Sequence, residues 1–260
     1  MGCDSLPERR HSVSTRRFMI SSRSIRNGYA SFDGELFNHI VRVLRLSPGD
    51  AVTLVDEKAN EHKGVIDQVA KEWVAVKIAM SVEAPETNAN AARITICQAI
   101  PKGEKIDLIL QKGTELGVHD FWVFGGRRSV VRVRDDQRNN KLERWNRITS
   151  EAARQCGRRT IPAVSWFPSA VEAADASHHD LRLLLWEGER EKNLKSTLAG
   201  IGRPATIAVA IGPEGGFDPL EVRHFAKHGF QPICLGERIL RTETATIAIT
   251  AILQYMFEDI

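Results

Sequence analysis

The chain has 260 residues, 42% of them hydrophobic and 27% charged, with a formal net charge of +3. This length supports one large domain or two modest ones with a real core, and no apolar run is long enough for a membrane-spanning helix. The four cysteines (Cys3, Cys97, Cys156 and Cys234) form no C-x-x-C pair, which argues against a zinc or disulfide framework and fits a reducing cytoplasm.

Residues 1–15 are rich in Arg and Ser but lack an apolar stretch, so they read as a disordered leader. Leu6 stands where a myristoylation signal needs Ser or Thr. The runs RRFMI, AVTLVD, HKGVIDQVA and EWVAVKIAM are short and β-rich, separated by turn chemistry such as SPGD. One helix interrupts them: in ELFNHIVRVLRL, Leu36, Ile40, Val43 and Leu44 recur at helical spacing, with Arg42 and Arg45 on another face. Residues 16–82 are therefore predicted to form a small β-barrel with one helix. Residues 83–92, polar and poor in large apolar side chains, are predicted to be a linker.

From Arg93 the pattern changes to alternating strand and helix. RITICQAI, HDFWVF, LRLLLW, ATIAVAIG and QPICLG read as strands. KGEKIDLILQKGTELG and NNKLERWNRITSEAARQC read as helices stopped by Gly117 and Gly157. Further helices lie near NLKSTLAG and PLEVRHFAKHG, and TETATIAITAILQYMF closes the chain. Continuous apolar strands alternating with helices predict a parallel sheet covered on both faces over 93–260.

In such sheets ligands bind beyond the carboxyl ends of the strands. Three turns leave those ends: WEGER, GPEGGF and GERILRTETA. No P-loop is present, and the G-x-G-x-x-A at Gly200 precedes a strand where a dinucleotide fingerprint must follow one. His224 and His228 are four apart, but residue 225 is Phe, so H-E-x-x-H is absent and the pair reads as exposed polar residues with no metal. Gly212, Gly215 and Gly216 allow the backbone close to a ligand, and Pro213 stiffens the turn. Glu214 would repel phosphate but suits a cationic ligand such as a sulfonium. In LGERILRTETA, Ile239 and Leu240 offer an apolar slot for a flat base, Thr242 and Thr244 are candidate caps of the last helix, and Glu243 sits near its positive end.

Charge is unevenly distributed. Residues 127–159 carry eleven Lys/Arg against four acids, so this block is +7 and the rest of the chain −4. Such a block is the footprint of a polyanion partner, the alternative being a solvated helix face.

These motifs together carry a resemblance. GPEGGF and LGERILRTETA, with KGEKIDLILQKGTELGV, SVV and EAARQCGRRTIP upstream, resemble the RsmE family of ribosomal RNA uridine-N3 methyltransferases of the SPOUT class. The likeness runs from about Arg17 to the C-terminus. It implies a PUA-like β-barrel followed by a SPOUT-type parallel sheet with a C-terminal trefoil knot. It implies S-adenosylmethionine as cofactor, a homodimer, and one uridine of small-subunit (16S) ribosomal RNA as substrate, within an assembled 30S particle. Carried over residue by residue, it puts Leu185, Trp186 and Glu187 on the first cofactor turn and Ile211, Gly212, Gly215 and Gly216 on the second. The third turn then holds Leu235, Gly236, Ile239, Leu240, Arg241 and Thr244. Glu237 stands where the family often has Pro, which loosens this turn slightly.

Uracil N3 is a poor nucleophile until its proton leaves, and a guanidinium suits the resulting anion. Arg241, with Arg132 or Arg128, is the candidate for that role, and no residue identifies itself as the base. RNA contacts are expected from Lys102, Lys105, Arg127, Arg128, Arg154, Gln155, Arg158 and Arg159, and from Arg42 and Arg45 on the barrel. On the residues alone, a non-catalytic RNA-binding protein or a SPOUT enzyme acting on another RNA remains open.

Overall fold

The computed structural model describes residues 16–57, 60–82 and 92–257, which fall into two compact units divided between Ala84 and Pro85. The expected leader lies outside the described residues, as does the expected linker except for Ala92. Ala92 is buried.

The first unit is a six-stranded, barrel-like mixed sheet built from β1 (Arg16–Met19), β2 (Ile25–Arg26), β3 (Tyr29–Phe32), β4 (Ala51–Val55), β5 (Glu61–Val69) and β6 (Val74–Val82), ordered β1-β4-β5-β6-β3-β2. Only the β1–β4 pair is parallel. The predicted helix is present as α1 (Gly34–Phe37), which widens at once into a π-helix over Asn38–Val43. It drops Phe37 and Ile40 into a core with Phe18, Phe32, Leu54, Ile66 and Val76, and leaves Arg42 and Arg45 exposed. Val43, predicted on the apolar face, is instead 66% exposed, because the wider π turn rotates it off the core stripe. The β2–β3 hairpin was not predicted.

The second unit contains β7 (Arg93–Ala99), α2 (Lys105–Glu115), β8 (Asp120–Phe124), α3 (Asp135–Cys156), β9 (Ala163–Phe167) and α4 (Ala170–Asp175). It continues with β10 (Leu181–Leu185), α5 (Leu194–Leu198), β11 (Thr206–Ile211), α6 (Pro219–Lys227), β12 (Gln231–Ile233) and α7 (Thr242–Phe257). The sheet runs β12-β10-β11-β7-β8-β9, and every pairing is parallel. Gly117 and Gly157 follow α2 and α3 in left-handed conformation, at φ 93° and 76°, as the sequence predicts for helix stops.

Strand alternation sorts the core onto the two faces of this sheet. Ile94, Ile96, Leu183, Ile207 and Val209 pack with Ile109 of α2, Trp145 of α3 and Ile249 and Leu253 of α7. The opposite face carries Cys97, Ala99, Ala208 and Ala210, whose small side chains admit the ring cluster of Phe124, Phe217, Phe225 and Phe230 beside α4 and α6. Centroids of the contacting rings lie 4.8–6.4 Å apart, in edge and stacked geometries. No helix among the described residues is long and apolar enough to cross a membrane.

Candidate active site at the carboxyl edge of the parallel sheet

Because β12, β10 and β11 are adjacent and parallel, the turns that leave their carboxyl ends share one edge of the sheet. The first turn starts at Leu185, which packs toward the α2/α3/α7 face, whereas Trp186 packs among the rings on the other face. Trp186 also donates its amide to Ile233 O at 3.1 Å, tying this turn to β12. Glu187 reaches the second turn. Gly216 has φ 67°, a left-handed conformation that favours glycine, and a Cβ built there would lie 1.9 Å from Glu187 Oε1, so a larger residue would also have to displace that flexible side chain.

The second and third turns are locked by a buried polar network. Gln98, fully buried near the end of the central strand β7, donates Nε2 to Ala99 O at 2.8 Å and to Thr242 Oγ1 at 2.9 Å. Thr242 Oγ1 donates to Gly212 O at 2.8 Å, and Thr246 Oγ1 donates to Gln98 Oε1 at 3.0 Å. The start of α7 is thereby fixed against the turn after β11. Thr242 does not cap α7 as the sequence suggested: its hydroxyl is committed to Gly212, and Thr244 is exposed.

Between β12 and α7 the chain must pass over the ends of β10 and β11. Leu235 and Leu240 turn into the core, Ile239 is 85% exposed, and Gly236 and Arg241 are exposed. Among the described residues, no amide from Leu235 to Arg241 finds a protein acceptor. An apolar side anchored in the core, with main-chain donors unspent, fits a ligand held by backbone groups. Arg241 forms no ion pair among the described residues, and Glu243 does not engage it. Glu243 Oε2 is instead buried without a hydrogen-bond partner.

Glu214 is explained differently from the sequence reading. Its Oε1 accepts Lys105 Nζ at 2.6 Å, and both carboxylate oxygens accept Lys102 N at 3.2 Å. Partial burial pushes its pKa up, but Lys105 and the amide donors outweigh this and hold the carboxyl below its ordinary range. Its charge is therefore matched within the protein, and Glu214 clamps the turn to the start of α2.

Strands β7 and β8 bring basic groups to this same edge. The segment after β8 carries Arg127, Arg128 and Arg132. Arg128 Nη1 donates to Gly215 O at 3.1 Å, placing this guanidinium on the second turn. Arg132 donates to Gly126 O at 2.9 Å and Arg127 O at 3.1 Å, and Arg127 N donates to Glu221 Oε1 at 2.8 Å. Lys102 is exposed beside them.

The rest of the basic block lies elsewhere. The 22 residues of α3 carry the chain roughly 33 Å, from this edge back to the start of β9. Arg154, Gln155, Arg158 and Arg159 therefore sit at the opposite edge of the sheet. Arg158 Nη1 donates to Thr114 O and Val118 O at 2.9 and 2.7 Å, at the end of α2. That Nη1 satisfies main-chain carbonyls, so Arg158 has a structural task beside the RNA contact expected of it. Sequence reasoning missed Gln98, although a polar residue inside the apolar run RITICQAI was the available signal.

A parallel sheet with three interlocked turns at adjacent strand ends, flanked by arginines, is the architecture of an RNA methyltransferase. Residues 88–254 match the family described as RNA methyltransferase domain, and residues 32–78 match the RNA methyltransferase PUA domain. Ribosomal RNA small subunit methyltransferase E of Bacillus subtilis is 31% identical over 234 residues, covering 88% of this chain and 90% of that one. The same-named enzyme of Neisseria gonorrhoeae, solved bound to S-adenosyl methionine, superposes with TM-score 0.80 at 30% identity, covering 94% of this chain and 98% of that one. A methyltransferase of Legionella pneumophila, solved with bound SAM, gives TM-score 0.83 at 31% identity over the same shares. The chain belongs to the ribosomal RNA small subunit methyltransferase E family.

Proposed function

We propose that the protein methylates N3 of one uridine in small-subunit (16S) ribosomal RNA, using S-adenosylmethionine held at the carboxyl edge of β12, β10 and β11. The observation that carries this reading is the lock between Gly212, Thr242 and Gln98, which joins two cofactor turns that are far apart in sequence. The unspent amides of residues 235–241 would bond the adenosine portion, Leu240 would line the base slot, and Gly216 would let the ligand approach the backbone. Exposed Ile239 would fold over the base from the solvent side. When bound, the cofactor supplies an electrophilic methyl group on a sulfonium. The passage of residues 234–241 to α7 is read as the last thread of a trefoil knot.

The chain's own residues have two tasks at the reacting base. One is to stabilise the ring anion left when the N3 proton departs, and a guanidinium bonding a uracil carbonyl does this in any accessible pH range. Arg241 is exposed at the third turn and free of ion pairs among the described residues, so we assign it that task. Arg128, and Arg132 behind it, hold the second turn and present positive charge to the RNA backbone beside the base. The other task is proton removal. Glu243, with one carboxylate oxygen buried and unbonded, is the nearest carboxylate in sequence to Arg241.

Phosphate contacts are assigned to Lys102, Arg127 and Arg128 at the site edge and to Arg42 and Arg45 of the first unit. Arg154, Gln155 and Arg159 are assigned contacts away from the methyl-transfer edge. The 16–82 unit is read as the RNA-binding domain, and the working form as a cytoplasmic homodimer acting on an assembled 30S particle.

The test is Arg241→Ala, assayed for cofactor binding by calorimetry and for turnover on small-subunit RNA. Turnover should fall about 10²–10³-fold, as for loss of one group stabilising a developing anion, with cofactor affinity nearly unchanged. A parallel loss of both would remove Arg241 from the chemistry and make it a binding residue.

A further inference from the structure

At the edge of the sheet opposite the proposed cofactor turns, α6 ends in two histidines one helical turn apart. His224 lies in its last turn and His228 is its C-terminal cap residue. Asp175, the last residue of α4, meets both: Asp175 Oδ1 lies 2.8 Å from His224 Nε2 and 3.0 Å from His228 Nε2. The three ligand atoms all fall within 4.8 Å of one another, and the rings stand 4.5 Å apart at 31°.

The hydrogen bonding of His228 restricts what can occupy this point. Its Nδ1 lies 3.0 Å from His224 O, and a carbonyl only accepts, so Nδ1 carries the hydrogen. In the neutral ring Nε2 is then a lone pair facing a carboxylate oxygen 3.0 Å away, and the two acceptors need a positive centre between them, either the proton of an imidazolium or a metal ion. A carbonyl that orients a histidine through its far nitrogen is the usual support of a metal ligand. Electrostatics agree, because the carboxyl ends of two helices converge here and both favour positive charge. Zn–N and Zn–O bonds of about 2.0–2.2 Å set tetrahedral donors roughly 3.3 Å apart, so Asp175 Oδ1, now 2.8 and 3.0 Å from the two histidine nitrogens, needs to withdraw from each by only a few tenths of an ångström.

We propose that Asp175, His224 and His228 form a binding site for one borderline divalent cation of the Zn²⁺ class, with water completing the coordination. Imidazole and carboxylate donors select such ions over Mg²⁺ or Ca²⁺, which prefer all-oxygen sites. The nine residues of α6 put this site about 13 Å from the second turn, so the ion staples α4 to α6 and takes no part in methyl transfer. The proposal is independent of the assigned activity.

The test uses full-length protein stripped of metal and titrated with Co²⁺ as a spectroscopic probe, followed by displacement with Zn²⁺. One equivalent should bind, giving visible d–d bands without thiolate charge transfer, and the melting temperature should rise with Zn²⁺. His224→Gln and His228→Gln should each weaken affinity by more than the ~100-fold that loss of an outer-shell partner reaches. Cys156→Ser should leave it intact. Circular dichroism confirms that each variant is folded. Binding that survives both histidine variants, that shows thiolate charge transfer, or that is absent at millimolar Co²⁺ would overturn the site.

Discussion

Thr242 shows how one hydroxyl can organise a site. It accepts from Gln98 and donates to Gly212 O, so replacing it by Val keeps the shape but leaves a buried amide and a carbonyl each short of a partner. Such groups cost about 1–3 kcal/mol when unsatisfied, and Thr242→Val should lower unfolding free energy by that amount in urea titrations. Because the weakened carbonyl belongs to the second of the turns proposed to hold the cofactor, affinity for S-adenosylmethionine should also weaken about tenfold, equivalent to ~1.4 kcal/mol. Loss of stability with unchanged affinity would mean that the lock supports the fold alone. At this scale the sequence was legible where residue types are unusual. Gly216 was picked out by its neighbours and is favoured by its left-handed φ. Gln98 was not picked out, because a lone Gln in a strand says nothing of its partners until α7 is laid beside it. Glu214 was read with the right charge but the wrong partner, since Lys105 belongs to another element.

Arg158 and His179 show what connects elements. The charged guanidinium of Arg158 satisfies two carbonyls where α2 ends. Arg158→Ala should therefore cost about 1.5–3 kcal/mol of stability, while RNA affinity of the folded variant changes less than for Arg128→Ala. Fluorescence anisotropy at low salt checks the comparison, and the reverse ranking would restore Arg158 to the RNA surface.

His179 bridges Ser177 Oγ, 3.0 Å from its Nδ1, and Thr95 Oγ1, 2.9 Å from its Nε2, with its ring edge-on to Trp122. Burial lowers its pKa from the ordinary 6.5, because the charged form loses water. The unfolded chain then binds the proton more readily. The stability contribution is complete above the unfolded pKa, declines as pH falls through it, and continues to decline toward the lower folded value. Melting temperature should drop between about pH 7 and pH 5 in the wild type, and less steeply in His179→Phe. Equal slopes would show that the ring binds its proton as readily in the fold as in the unfolded chain, and would contradict the lowered pKa.

Elements with strong periodicity were legible: α7 was expected as TETATIAITAILQYMF and spans Thr242–Phe257. The strand AVSWF and the six-residue α4 were missed, because neither is long enough to establish a period. The β2–β3 hairpin did carry a signal, Asn27-Gly28, and both residues take the positive φ of a tight hairpin turn.

For the whole molecule, order along the chain and arrangement in space part company at the basic block. Counting charges from 127 to 159 joined two groups that α3 carries to opposite edges of the sheet. A one-dimensional sum cannot see this, whereas the turns GPEGGF and LGERILRTETA were placed correctly because parallel topology sends successive strand ends to the same side. Family membership makes RNA methylation the chemistry of the chain, and this shared edge is where we place it.

The most direct measurement is incubation of the protein with labelled S-adenosylmethionine and small-subunit ribosomal particles, followed by nucleoside analysis and mapping. The account predicts one methyl group, on N3 of a single uridine, with far less label in Arg241→Ala. A label on a ribose 2′-hydroxyl, or none in particles and free RNA alike, would contradict it.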